Sequence, residues 1–174
     1  GSTTLAADEV SATINGVSVT TRTPITLGYR QVSTVAAVSK SGATLTYRSL
    51  APACALNGLQ ITPLSATGEC AIAVTSAGNS TASPITVILP IRLTLGVQSL
   101  GGFTLPETAK AFSKSALPSV SNFGEKIKYK ATGACSVVRS ELTVRRGKCE
   151  INATAVGKKA LYEGLNQKLV ITGK

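Results

Sequence analysis

Short runs of alternating apolar and polar residues dominate the chain, and no stretch repeats apolar residues at the 3.6-residue period of a helix. Turn signals such as Asn15-Gly16, Asn57-Gly58 and Gly78-Asn79 separate these runs, because Asn and Gly tolerate positive φ. Residues 106–114 and 160–163 have the composition of a helical turn. Many short strands at this spacing are typical of an all-β sandwich. The runs predict strands at 18–20, 25–27, 43–47, 59–64, 70–74 and 85–89, and at 103–105, 127–130, 135–138, 142–145, 149–153 and 168–172.

One cysteine-containing pattern occurs twice along the chain. The interval from the second cysteine of each copy to a later glycine is the same in both, and so is the Gly-x-Cys step. Such a repeat predicts two copies of one small module. We therefore expect two small β-sandwich modules at 1–96 and 97–174, joined end to end by a short linker near residues 95–102. The first copy contains Tyr47, Cys54, Gly68-Glu69-Cys70 and Gly78, and the second contains Tyr129, Cys135, Gly147-Lys148-Cys149 and Gly157.

The four cysteines form two matched pairs, which favours an oxidising compartment and one disulfide per module. We predict the bridges Cys54–Cys70 and Cys135–Cys149. A bridge that closes a loop of about 15 residues stabilises a module by about 3 kcal/mol. Free thiols or a four-thiolate metal site are the alternatives, although the chain has no Cys-x-x-Cys step and no histidine.

The composition argues against catalysis. Without histidine, the chain lacks the Ser-His, Cys-His and His-metal arrangements of nucleophilic and metal-dependent enzymes. The eight acidic residues are scattered, and the one adjacent pair is Asp8-Glu9, so neither paired carboxylates nor a calcium site is indicated. We expect no enzyme activity, no cofactor and no bound metal.

Positive charge is concentrated in the second half of the chain. The net charge is +10, and residues 97–174 hold 13 of the 18 basic and five of the eight acidic residues. Lys126, Lys128 and Lys130 alternate with Ile127 and Tyr129, so on a strand the three lysines share one face. Further bases lie at the turn into Cys149 and at the turn after it. The candidate polyanion-binding residues are Lys126, Lys128, Lys130, Arg145, Arg146, Lys148, Lys158 and Lys159.

Two interpretations of this charge remain open. The lysines are either an ordinary solvated strand face or a site for an anionic wall polymer, glycan or partner protein. We do not expect specific nucleic-acid recognition, because aromatic residues make up only 4% of the chain and base stacking needs exposed aromatic rings.

The motifs together resemble one family of repeats. The first copy combines Tyr47-Arg48-Ser49, Asn57-Gly58, the Gly68 to Ile72 strand and Ala77-Gly78-Asn79 around its cysteines. In this it resembles the cysteine-bearing variety of bacterial immunoglobulin-like (BIG-type) repeats, which occur in tandem in secreted and cell-surface proteins. The second copy departs from it at Arg139-Ser140. The resemblance implies stalk, spacer or adhesion modules without catalytic residues, located at the cell surface or cell wall.

We therefore expect a non-catalytic extracellular segment, a disulfide-stapled spacer or presenting stalk of a bacterial surface protein. The first alternative is a ligand-binding module whose basic C-terminal face docks an anionic polymer, and the second is a carbohydrate-binding or enzyme-accessory module. The apolar run from Ile85 to Leu95 is too short to span a membrane. The opening Gly1-Ser2 and the lack of methionine are typical of a piece of a longer parent chain, so we expect any leader, anchor and neighbouring domains outside it.

Overall fold

The computed structural model describes residues 4–174, so Gly1-Ser2 lies outside the described residues. The chain divides into two compact units, unit 1 (Gly1–Gly96) and unit 2 (Val97–Lys174). Every regular element among residues 4–174 is a β-strand. The all-β class predicted from the short alternating runs is therefore confirmed.

Unit 1 is a sandwich of two sheets. One sheet has the strand order β2-β1-β4-β7-β6, and the other has the order β3-β9-β8-β5. All neighbouring pairs are antiparallel except β3 and β9, which run parallel. The strands are β1 (Val10–Ile14), β2 (Val17–Val19), β3 (Ile25–Gly28), β4 (Ser33–Ser39), β5 (Leu45–Ser49), β6 (Cys54–Asn57), β7 (Gln60–Pro63), β8 (Glu69–Ser76) and β9 (Ile85–Thr94).

The strand order of unit 1 is immunoglobulin-like. With β1, β4, β5, β6, β7, β8 and β9 taken as strands A to G, the sheets are ABED and CFG, the division of a constant-type immunoglobulin domain. The inward-facing residues of both sheets, among them Ile14, Val35, Ile72 and Ile91, form one apolar core. Cys54 and Cys70 join β6 to β8, which lie in opposite sheets, with 6.1 Å between their Cα atoms.

Unit 2 repeats this plan with fewer and longer strands. Its single sheet has the order β10-β14-β13-β11, and β12 also pairs with β13. The short β10 runs parallel to β14, as β3 does to β9 in unit 1. The strands are β10 (Thr108–Ala109), β11 (Lys114–Ala116), β12 (Lys128–Val138), β13 (Glu141–Ala155) and β14 (Leu165–Gly173).

The two long strands of unit 2 turn a corner together. The register of β12 against β13 shifts between Gly133 and Cys135, so each strand pairs in two segments. Residues 128–133 of β12 pair with residues 149–154 of β13, and these segments correspond to strands C and F. Residues 135–138 of β12 pair with residues 141–144 of β13, and these segments correspond to strands D and E. A Cβ on Gly133 would lie 2.5 Å from the carbonyl oxygen of Lys148, so any other residue there would force the backbone of the corner to shift. The bridge Cys135–Cys149 again joins D to F.

The predicted disulfides are present in both units, and the structure describes no free cysteine. The predicted fold class, two β-sandwich modules with one disulfide each, is therefore confirmed. In antibody domains the disulfide joins strands B and F, whereas here it joins D and F. The repeated glycines also have a structural reason, because a Cβ on Gly78 or Gly157 would lie 2.7 Å from the backbone nitrogen of Pro84 or Gly164.

Several predicted elements were wrong. Residues 103–105 form no strand, and residues 106–114 form β10, a turn and the start of β11 rather than a helical turn. The region 160–163 is a turn closed by a bridge between Lys158 and Tyr162, not a helical turn. Strands β1, β4 and β6 were not predicted: the alternation in β4 and β6 is weak, whereas β1 alternates Val10, Ala12 and Ile14 with polar residues and could have been found. They are strands because a paired neighbour supplies their hydrogen bonds.

Candidate functional site

The three alternating lysines lie on the outside of unit 2. Lys126, Lys128 and Lys130 are exposed, whereas Ile127 is buried and Tyr129 is half-buried. The hydroxyl of Tyr129 donates a hydrogen bond to the carbonyl of Pro118, and burial raises the pKa of this phenol. Strand geometry therefore turns the lysine side chains to solvent while their neighbours anchor β12 to the core.

The pairing of strands brings two further lysines to this face. Lys130 lies opposite Asn152 of β13, and Asn152 lies opposite Lys168 of β14. Lys148 points outward on β13, since the next residue of the strand, Cys149, is buried and successive side chains face opposite sides. We call Lys128, Lys130, Lys148 and Lys168 the basic sheet face. Lys168 was not among the basic residues predicted from the sequence, although its alternation with Leu169 and Ile171 in the predicted strand 168–172 was a usable signal.

One carboxylate lies among these lysines. Glu150 forms ion pairs with Lys148 and Lys168, with 3.3 Å between nitrogen and oxygen in each pair. Hydrogen bonds from Lys168 and then Lys148 lower the pKa of Glu150. Two of the four ammonium groups are therefore partly compensated, while Lys128 and Lys130 have no ion pair among residues 4–174. The face retains an excess of three positive charges.

Two shallow depressions lie on this side of unit 2. One is lined by Lys130, Thr132, Glu150, Asn152 and Lys168, with Ile151 beneath. Lys130 and Lys168 are two strands apart, which places their Cα atoms about 10 Å from each other. Ammonium, amide and hydroxyl donors around an open depression suit the oxygens of phosphate, sulfate or carboxylate groups. The second depression is lined by Glu125, Lys126, Lys128, Thr154, Ala155 and Val156.

The other predicted basic residues are distributed around unit 2. Lys158 and Lys159 lie in the loop between β13 and β14, which follows Thr154, the partner of Lys128. Arg145 and Arg146 lie at the corner of β13, far along the strand from that loop. The guanidinium of Arg145 donates to the carbonyls of Gly133 (3.1 Å) and Cys135 (3.4 Å), so this side chain serves the corner itself.

Unit 1 buries one carboxylate. Asp8 accepts hydrogen bonds from the hydroxyls of Ser39 and Ser76, each 2.5 Å long, and from the backbone N–H of Ser41. Ser39 and Ser76 belong to opposite sheets, so the carboxylate ties the sandwich together. The hydrogen bonds from Ser39 and Ser76 hold the pKa of Asp8 well below its usual range. Because its pKa is lowered, this carboxylate is a weak base, and its hydrogen bonds to both serines link the two sheets.

Unit 2 has a buried polar cluster without charge, next to the loop that follows β13. Buried Gln98 donates from its side-chain nitrogen to the carbonyls of Val156 (2.7 Å) and Glu163 (2.9 Å). Its side-chain oxygen accepts a 2.5 Å hydrogen bond from the hydroxyl of Ser121. Each polar group of the amide therefore has a partner, as a buried amide requires.

Residues 4–174 contain no cluster of three or more acidic or cysteine side chains arranged to hold a metal ion. The same residues contain no helix with the length and apolar character that crossing a bilayer requires.

No protein-family model matches the sequence, and no curated protein is significantly similar to it. Among solved structures, the chain is similar to the fibronectin(III)-like modules of Clostridium thermocellum CbhA, at 11% identity, a TM-score of 0.32 and 94% coverage of both chains. It is also similar to immunoglobulin domains 1–5 of Sidekick-1, at 10% identity and a TM-score of 0.30, with 95% of this chain and 40% of that chain covered. These scores are too low to support an argument, so the immunoglobulin-like assignment rests on the strand order.

Proposed function

We propose that the chain is a non-catalytic extracellular segment that spaces or presents a neighbouring part of a bacterial surface protein, related to the BIG-type repeats that its motifs resemble. The observation that carries this proposal is the repeated D-to-F disulfide, which joins Cys54 to Cys70 and Cys135 to Cys149. Two units that are each closed by a disulfide suit a compartment in which thiols are oxidised.

The buried polar groups support the same proposal. Asp8 in unit 1 and Gln98 in unit 2 are saturated with partners inside the fold, so neither is available to a substrate. Four glutamates form ion pairs at the surface, and their partners are nearby lysines or Arg92. These glutamates are Glu9, Glu69, Glu141 and Glu150. The chemistry of these groups therefore stabilises the units.

The compartment can be tested by alkylating the cysteines under denaturing conditions, in cells that display the parent protein. The proposal expects all four cysteines to resist alkylation until a reductant is added. Alkylation without reductant would contradict it. A second test exchanges the segment for an unrelated tandem pair of immunoglobulin-like units. If the segment is a spacer, the neighbouring part of the parent protein keeps its function after this exchange. If the segment binds a partner itself, that binding is lost.

A second candidate function is the docking of an anionic polymer on the basic sheet face. The observation that favours it is the row Lys130–Asn152–Lys168, which borders an open depression. A linear polymer that bears phosphate, sulfate or carboxylate groups could place successive anions on Lys128, Lys130 and Lys168. Binding of this kind weakens as salt rises, because counterions are released from the polymer.

The double variant Lys130→Ser/Lys168→Ser tests this candidate against a control of equal charge, Lys158→Ser/Lys159→Ser, in the loop. Retention on a wall polymer, a sulfated glycan and single-stranded DNA is measured at low and physiological salt. A docking face predicts a loss several-fold larger in the first variant, with a shallower salt dependence. Equal losses would show that only net charge matters. Glu150→Gln is expected to strengthen binding, because it removes the carboxylate that pairs with Lys148 and Lys168.

A further inference from the structure

The turn between β10 and β11 has a backbone conformation that its sequence does not favour. Residues 110–113, the Phe112 turn, are closed by a hydrogen bond from the N–H of Ser113 to the carbonyl of Lys110. Phe112 is the third residue of this turn and has a φ of 66°. Gly or Asn normally occupies such a position, because a Cβ is strained at positive φ. Among residues 4–174, Phe112 is the one bulky apolar residue with positive φ.

The side chain held in this way is directed to solvent. Phe112 is 72% exposed, one of the two most exposed large apolar residues of the described chain. The other non-glycine residues with positive φ either have polar side chains, such as Asn15 and Ser140, or carry only a methyl group, as Ala160 does. The exposed ring adds no packing to the fold, so the fold itself gives no reason for a bulky apolar side chain at this strained position. Such outliers cluster at functional sites, among them sites that hold a ligand.

Basic residues surround the Phe112 turn. Lys110 is the first residue of the turn and Lys114 follows its last residue. The N–H of Phe112 donates to the carbonyl of Val144, directly before Arg145 and Arg146. The C-terminal Lys174 is adjacent, since its carbonyl accepts from the N–H of Ala111. The nearby acids are Glu107 and Glu141, and Glu141 pairs with Lys114 at 3.6 Å. Even without Arg145, whose guanidinium binds the corner carbonyls, four bases against two acids leave an excess of positive charge around one protruding ring.

We propose that the Phe112 turn docks on an anionic lipid bilayer, with the ring in the interface and the surrounding bases among the headgroups. An exposed aromatic ring flanked by Lys and Arg suits the boundary between headgroups and acyl chains. Basic residues add attraction to anionic lipids, by about fivefold in affinity for each residue near the surface. This surface lies at the corner of unit 2 and differs from the basic sheet face.

Nucleic acid is the other anionic surface that takes up aromatic rings, and the geometry favours it less. Single strands bind in grooves where several aromatic side chains stack on successive bases. Here one ring projects from a turn. The aromatic pair that the structure describes, Phe123 and Tyr162, is engaged in stacking at 4.5 Å between ring centres. A protruding ring without companions fits a bilayer interface better than a row of bases.

The chain contains no tryptophan, so Phe112→Trp introduces a single reporter at the tip of the turn. Its fluorescence is titrated with vesicles of phosphatidylcholine alone and of phosphatidylcholine mixed with phosphatidylglycerol. We expect a saturable blue shift with the anionic vesicles only. The matched control is Val138→Trp, at a residue that is 66% exposed in the same unit, and we expect no shift there.

Two further variants test the separate contributions in co-sedimentation with the anionic vesicles. Phe112→Ala is expected to weaken binding about tenfold, by loss of the inserted ring. Lys110→Ser/Arg146→Ser is expected to weaken it about 25-fold. Val138→Ala and Lys158→Ser/Lys159→Ser are the controls for apolar area and for charge.

Three results would overturn the proposal. The first is the absence of a blue shift of Phe112→Trp with anionic vesicles. The second is wild-type binding by Phe112→Ala, which would leave only a charge effect. The third is a response to single-stranded DNA without any response to vesicles, which would assign the turn to nucleic acid.

Discussion

The two units build one strand plan with connections of different length, and the difference shows how a few residues change the architecture. The hairpin formed by strands D and E has the same length in both units. Cys54 pairs with Pro63 in unit 1 and Cys135 pairs with Val144 in unit 2, and each pair is nine positions apart. From E to the second cysteine, unit 1 takes seven positions (63 to 70) and unit 2 takes five (144 to 149). The whole difference between the disulfide separations of 16 and 14 residues therefore lies in this connection.

That shortening explains the two kinds of sheet. In unit 1, residues 64–68 form a loop that carries the chain from one sheet to the other, so the sheets are separate. In unit 2 the connection from strand E to strand F is too short for such a loop. Strand β13 therefore bends and stays hydrogen-bonded on both sides of the corner. Bent strands that pass between layers need glycine or a bulge at the corner, which Gly133 and Gly147 provide.

Removal of the disulfides is expected to have the largest effect on stability, and it tests whether the units are equivalent. Cys54→Ala/Cys70→Ala and Cys135→Ala/Cys149→Ala should each lower the free energy of unfolding by about 3 kcal/mol, because the closed loops are nearly equal in length. Urea unfolding of the whole chain, followed by hydrogen exchange of the amides in each unit, measures both values. A loss confined to one unit would show that the bridges have different roles.

The corner of unit 2 gives the next largest effect. Gly133→Ala is expected to cost about 3 kcal/mol, because the new Cβ meets the carbonyl of Lys148 and φ is +88°. Gly124→Ala is the matched control, since its φ is +84° and its surroundings are open. It should cost about 1 kcal/mol, from backbone strain alone. Equal costs in thermal unfolding would mean that the corner relaxes around the methyl group.

The buried polar clusters distinguish the units by pH. Folding lowers the pKa of Asp8 below the value of about 4 for an unfolded aspartate, so the unfolded chain takes up this proton first as the pH falls. Its contribution is therefore complete above about pH 4 and decreases progressively at lower pH, towards the folded pKa. Gln98 does not titrate, so we expect acid to reduce amide protection in unit 1 before unit 2.

Asp8→Asn sharpens this prediction, because it removes the titrating group and should make acid sensitivity similar in the two units. Hydrogen exchange at about 0.5 M salt limits the contribution of the exposed Glu150 pairs, which salt screens. Unchanged acid sensitivity of unit 1 in Asp8→Asn would assign the effect to another group.

The smallest expected effect on stability comes from removing positive charge from the basic sheet face of unit 2. This change is expected to alter binding rather than stability. The Lys130→Ser/Lys168→Ser variant should keep the unfolding free energy within about 0.5 kcal/mol, because both side chains are exposed. A change in polymer retention without a change in stability would separate the basic sheet face from the fold of unit 2.

The sequence by itself determined the all-β class, the two cysteine pairs and the alternation of Lys126, Lys128 and Lys130 with inward-facing neighbours. These features are local or repeated, so spacing and period express them directly. The sequence also located the excess charge in residues 97–174. It placed Gly78 and Gly157 in equivalent positions without giving the close backbone contacts that require them.

Only the tertiary structure decided which distant residues meet. Lys168 joins Lys130 across β13, Glu150 compensates two lysines, and Arg145 binds the corner carbonyls. The polar clusters of Asp8 and Gln98 and the basic surround of Phe112 likewise depend on strand register and loop closure. Register is fixed by pairing between segments far apart in the chain, and no periodicity within one segment contains that information.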